Sequence, residues 1–166
     1  MTAKPTITGV RHVGLYAEDP AELAGFYRDL FGLQIVEASK LNADGVHHSL
    51  YLSRGAEGEH HQLTIFANPE HQYIAFAVES LADLRTLHQR FVERNLPIRW
   101  TLNHGISLAF YFTDPVGNQV KLYWPTGFAC PQPHGHPIDL TQSEAILRQD
   151  VADLVAQLKG MKGDSK

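Results

Sequence analysis

The chain has 166 residues, 43% of them hydrophobic and 19% charged, which suffices for one domain with a real core and falls short of two ordinary ones. A net charge of −4 leaves no basic surplus to neutralise phosphates and argues against nucleic acid as a partner. The single cysteine, Cys130, excludes an internal disulfide, and no apolar run approaches the ~20 residues of a membrane helix. With no apolar signal-peptide core after Met1-Thr2-Ala3-Lys4-Pro5, the expectation is a soluble, cytoplasmic chain that contacts neither nucleic acid nor membrane.

The chain repeats itself weakly. Arg11-His12-Val13-Gly14-Leu15-Tyr16-Ala17-Glu18 lies over Gln72-Tyr73-Ile74-Ala75-Phe76-Ala77-Val78-Glu79, with Ala21 over Ala82 and Leu23 over Leu84. Each copy reads as an apolar strand running into a helix. In the first, Asp19 caps, Pro20 takes the first helical position, and Leu23, Phe26, Tyr27 and Leu30 form one stripe up to Gly32. Strand-like runs follow at Leu33–Ala38, His47–Leu52 and His61–Ala67. In the second copy Ser80 caps, Leu84, Leu87 and Phe91 form the stripe, and Asn95 with Pro97 ends it. Its strands read Pro97–Thr101, Ser107–Phe112 and Gln119–Trp124, the last two joined by the turn Asp114-Pro115-Val116-Gly117-Asn118. A Pro- and Gly-bearing linker covers 125–140. A third helix, Gln142–Leu158, follows a capping box at Thr141 and Glu144, and its apolar stripe docks on the body or on a second subunit; a frayed tail begins at Gly160.

This pattern predicts an α+β fold of paired βαβββ modules, which either cover each other's faces or form a curved mixed sheet around one cleft, plus a C-terminal helix. One domain then spans 1–127, with module one at 8–68 and module two at 71–125, and residues 128–166 are the linker and helix.

The segment HVGLYAEDPAELAGFYRDLFGLQIV and the closing YFTDPVGNQVKLYWPTG resemble the vicinal oxygen chelate superfamily of glyoxalases, bleomycin-resistance proteins and extradiol dioxygenases. His60-His61, the run HGIS from His104 to Ser107, and Tyr111 are similar to one-domain extradiol ring-cleavage dioxygenases. The resemblance spans 8–127 and is most specific over 104–124. It implies a nonhaem Fe(II) site of two histidines and one carboxylate, with open positions for a catecholate and O₂. The first ligand position is His12, but the second is Tyr73 and the carboxylate position is Lys121. An ammonium repels a dipositive ion, and a phenol must ionise from a pKa near 10 to ligate it. His71, two residues before Tyr73 on a presumed strand, shares its face, so a His12, Gln62, His71 site is an alternative.

The resemblance also implies catalytic roles for His61, His104 and Tyr111; with two ligand positions replaced, Tyr73, Lys121 and His71 are expected to bind substrate, and His12 is left as the metal position. Read as residues alone, Tyr111 between Phe110 and Phe112 looks like core packing, His60-His61 like a strand end, and His88 like a partly exposed helix residue. His134 and His136 lie in the linker, where an unstructured pair is weak evidence of metal binding. Three functions follow as expectations. In the first, the protein binds a small aromatic or phenolic anion, with no metal or a weakly held divalent one, and either only binds or isomerises its ligand by acid/base chemistry. In the second it is an Fe(II) dioxygenase with unusual ligands. In the third it sequesters a toxic compound as a homodimer, in the manner of bleomycin-resistance proteins.

Overall fold

The computed structural model describes residues 4–55 and 59–161, which hold three α-helices and nine strands of an α+β fold. They divide into two compact units, one of Val10–Ala75 and one of the residues up to Gly9 and from Phe76 onward.

In the Val10–Ala75 unit, β1 (Ile7–Tyr16) leads into α1 (Pro20–Phe31), then β2 (Gln34–Ala38), β3 (Ser49–Ser53) and β4 (Leu63–Phe66). The start of α1 is written locally. The Asp19 carboxylate accepts from the amides of Ala21 and Glu22, Pro20 occupies the first turn, and Gly32 closes the helix with a φ of 71°. The strands lie in the order β2-β3-β4-β1, antiparallel except for the parallel β4–β1 pair. Alternation then sorts the side chains. Leu50 and Leu52 of β3, Leu63 and Ile65 of β4, and Val13 and Leu15 of β1 pack on Ala24, Leu23 and Tyr27 of α1. The alternate set, His12, Gly14, Tyr51 and Thr64, therefore lies on the opposite face.

In the second unit, β5 (Tyr73–Val78, entering after Ala75) runs into α2 (Leu81–Glu93), β6 (Trp100–Asn103), β7 (Ser107–Thr113), β8 (Gln119–Pro125), β9 (His136–Pro137) and α3 (Glu144–Met161). Ser80 caps α2 by accepting from the Asp83 amide, and Asn95 leaves it with a left-handed φ of 51°. The β7–β8 turn forms as expected: the Asp114 carboxylate accepts from the amides of Val116 and Asn118. Strand order is β8-β7-β6-β9, all antiparallel. Leu108 and Phe110 of β7 and Leu122 of β8 face a core completed by Leu81 and Leu84 of α2 and Leu147, Val151, Leu154, Val155 and Leu158 of α3. The third helix is thus a brace for its own unit. Leu147 is fully buried, so Leu147→Ala should cost about 2–5 kcal/mol, read as a lower urea midpoint at unchanged slope.

Several expectations shift. The strand expected over Pro97–Thr101 is Trp100–Asn103, because Pro97 has no N–H to give a ladder. The one expected over His47–Leu52 is Ser49–Ser53, with His47 in an isolated bridge to Leu41. The linker contains β9, which pairs Pro137 with Leu102 and His136 with Asn103. Thr141 is not the cap of α3: its hydroxyl is engaged by Asp139, and Ser143 Oγ accepts from the Ile146 amide instead. The helix continues through Gly160 to Met161, and the rest of the expected tail lies outside the described residues. His88 is buried, its ring edge-on to Phe110, and burial pushes its imidazole pKa down. His71 is on no strand. It closes a 3-10 turn, Pro69–His71, that starts from the Asn68 cap, and it is exposed.

Candidate functional site

Each unit gathers predicted site residues on the sheet face that its helices leave uncovered.

In the Val10–Ala75 unit, His12 on β1 and His61 just before β4 are both buried, with ring centroids 4.6 Å apart. Tyr73 meets His12 edge-on at 5.6 Å. Burial holds the Tyr73 phenol well above its usual value. Gly14 is needed for this cluster: a Cβ there would stand 2.8 Å from Phe66 Cε2 and 3.0 Å from Tyr73 Cε1. Tyr51, which the sequence did not single out, packs edge-on against His61 at 5.0 Å and His60 at 5.8 Å. His71, expected beside Tyr73, instead sets its ring on Phe66 at 5.6 Å.

In the second unit, Tyr111 and Lys121 are direct cross-strand partners of β7 and β8, so they share a face. Tyr123 joins them two residues on. Phe110 packs into the helix core, so Tyr111 on the alternate face is not core packing on the helices. Lys121 is 4% exposed, its Nζ 5.0 Å from the Tyr123 ring centroid and 5.7 Å from that of Tyr111. His104, at the β6–β7 turn, donates from Nδ1 to the His134 carbonyl, which leaves Nε2 as acceptor for the Tyr111 hydroxyl at 3.0 Å. Burial first, and the Lys121 charge second, push the His104 imidazole down to about 3, so it is neutral at ordinary pH. The His104 carbonyl accepts from Gln132 Nε2 at 2.9 Å, which ties the turn to the segment before β9. Ser107, on the same face of β7, keeps its hydroxyl buried without a hydrogen-bond partner. Tyr123 was findable from the sequence by period two from Lys121. Gln132 and Tyr51 were not, since long-range contacts place them.

At the three positions where the resemblance would put ligands stand an imidazole and a phenol held protonated in one unit, and a buried ammonium in the other. They do not fit a two-histidine, one-carboxylate centre, whose third donor must be anionic. Among the described residues no three His, Cys, Asp or Glu side chains are grouped to hold a metal ion. The alternative trio fares no better: Gln62 Oε1 already accepts from the Arg54 amide at 2.9 Å, and His71 lies off the strand.

Two βαβββ-type units, each carrying histidines and tyrosines on the strand face away from its helices, define a class. The family model of the Glyoxalase/Bleomycin resistance protein/Dioxygenase superfamily matches residues 9–122, and the chain belongs to that superfamily. Solved structures with the same fold include the 2,3-dioxygenase LapB from Pseudomonas sp. KL28, at a TM-score of 0.62 and 22% identity over 78% of this chain and 46% of that one. A catechol 2,3-dioxygenase matches at 0.62 and 19%, over 87% and 52%. The Mn(II)-bound glyoxalase from Novosphingobium aromaticivorans matches at 0.59 and 19%, over 78% and 43%. The chain thus spans about half the length of these structures, and the likeness is one of fold. Among the described residues no helix is long and apolar enough to cross a membrane.

Proposed function

We propose that this chain is an extradiol-dioxygenase-like member of its superfamily that binds a small aromatic or phenolic anion without tightly held iron. The observation that carries this reading is the buried ammonium of Lys121 between the Tyr111 and Tyr123 rings, beside a His104 that stays neutral. A cation kept out of water favours an anion over a second cation, and an aromatic wall favours a ring. The Tyr111 hydroxyl spends its proton on His104, so its oxygen lone pairs are directed to accept from a ligand hydroxyl. The ligand thus described is a phenolate carrying a further hydroxyl, the chemistry of a catechol-type compound.

The probe is 4-nitrophenol, whose phenolate absorbs in the visible. Bound to the protein, it should ionise at a lower pH than free in solution, because the ammonium stabilises the anion. Binding of the neutral form alone, or none at all, overturns the reading. So does iron taken up stoichiometrically under anaerobic conditions with ring cleavage of catechol on admission of air, the result an Fe(II) dioxygenase would give.

A further inference from the structure

Glu37, His60 and His61 form a chain that the anion-binding reading does not use. His60 Nδ1 lies 3.0 Å from His61 Nδ1. The other nitrogen of His60, Nε2, approaches Glu37 Oε2 on β2 at 3.5 Å, with both side chains only 20% and 25% exposed. The Tyr51 ring stands edge-on to both imidazoles and fixes their planes.

Two nitrogens 3.0 Å apart share one proton, and the question is which ring supplies it. An ionised carboxylate only accepts, so Glu37 selects the form of His60 that carries its proton on Nε2. In a neutral His60 that leaves Nδ1 bare. It must then accept, and His61 must donate from its own Nδ1. We infer that Glu37 and His60 are positioning residues that lock His61 in the Nδ1–H tautomer and leave its Nε2 lone pair as a proton acceptor toward a hydroxyl-bearing ligand. The carboxylate–imidazole–imidazole chain works as outer partners do at a metal site, where the bond on one ring nitrogen decides what the other can do. Only the last step, the contact with a ligand hydroxyl, rests on the proposed function; the tautomer stands without it.

The test is long-range ¹H–¹⁵N correlation spectra of the full chain labelled at histidine, at about pH 8 so that ordinary imidazoles are neutral. Wild-type protein should show His61 protonated on Nδ1, the form an imidazole side chain disfavours when left to itself. His60→Phe removes the acceptor and should return His61 to Nε2–H. Glu37→Lys replaces an acceptor with a donor and should turn both rings over, again giving His61 Nε2–H. The His104 signals serve as the fold control, since that ring stays Nδ1–H through the His134 carbonyl in every correctly folded variant. A wild-type His61 already in the Nε2–H form, or a tautomer unmoved by His60→Phe in a folded protein, overturns the inference. Titration of the same samples with 4-nitrophenol separates the two proposals: failure to bind while the tautomer behaves as stated removes the ligand reading and leaves the positioning chain standing.

Discussion

Lys121→Met should weaken binding of 4-nitrophenolate by roughly 10- to 100-fold, the worth of one charge-assisted hydrogen bond in a buried setting at about 1.4 kcal/mol per decade. The substitution keeps a long, flexible side chain beside the Tyr111 and Tyr123 rings and removes the charge with its N–H donors. The melting temperature reports separately what the charge does for the fold. An ammonium that is 4% exposed carries a desolvation cost that its surroundings must offset, and an apolar chain of similar volume carries none. A wild type that binds better and melts no higher than its variant is the pattern of a residue kept for a ligand. Lys121→Arg, which keeps the charge, should retain most of the affinity. Equal affinity in the wild type and Lys121→Met, measured by the same absorbance titration, would sink the assignment; a large loss of melting temperature in Lys121→Met would mark the ammonium as structural instead.

The second large effect is acid sensitivity from His104. In the unfolded chain this imidazole takes up a proton near pH 6.5, whereas in the fold, burial and then the Lys121 charge hold it unprotonated down to about 3. Between those values the unfolded state binds more protons, so stability rises with pH. The contribution is complete above pH 6.5 and is lost as the pH falls toward 3, with a slope approaching about 1.4 kcal/mol per pH unit from this one residue. His104→Asn, which keeps a short polar group without a titrating ring, should flatten the pH dependence of urea unfolding over that window by this slope. His88, also held low by burial, remains in both proteins and cancels in the difference. The exposed Asp114 and Asp139 carboxylates, held low by hydrogen bonds to their own turns, titrate at the acid end in both. A wild-type and variant difference that stays flat from pH 7 to pH 4 would show that His104 protonates freely in the fold.

The two effects come from one piece of geometry. Tyr111 and Lys121 face each other across a β-ladder, His104 reaches the same face from the turn, and the His134 carbonyl fixes which of its nitrogens meets Tyr111. The result is a neutral base, a phenol and a cation in close order, and the proposed binding of a phenolic anion rests on that order.

What the sequence determined is what its neighbours along the chain decide. Asp19 with Pro20, Ser80, and the Asp114–Asn118 turn form as read, because each satisfies backbone donors within a few residues. The apolar stripes of α1, α2 and α3 found their cores, because a period near 3.6 names a buried face without saying what covers it. The α+β fold class agrees with that pattern, and the resemblance named residues 12, 61 and 73, which lie in one unit, and 104, 111 and 121, which lie in the other. What only the tertiary structure decided depends on pairing across long stretches of chain. A two-residue strand such as β9 has no periodicity to read. His71 left its expected strand for a turn set by Asn68 and Pro69, and His88 proved buried because the sheet comes to meet it. That Tyr111 faces Lys121 while Phe110 faces the helices is a matter of register, where a slip of one residue would exchange the two faces. Which nitrogen of a histidine carries the proton is decided still further off, by a carbonyl or carboxylate brought to it from a distant part of the chain.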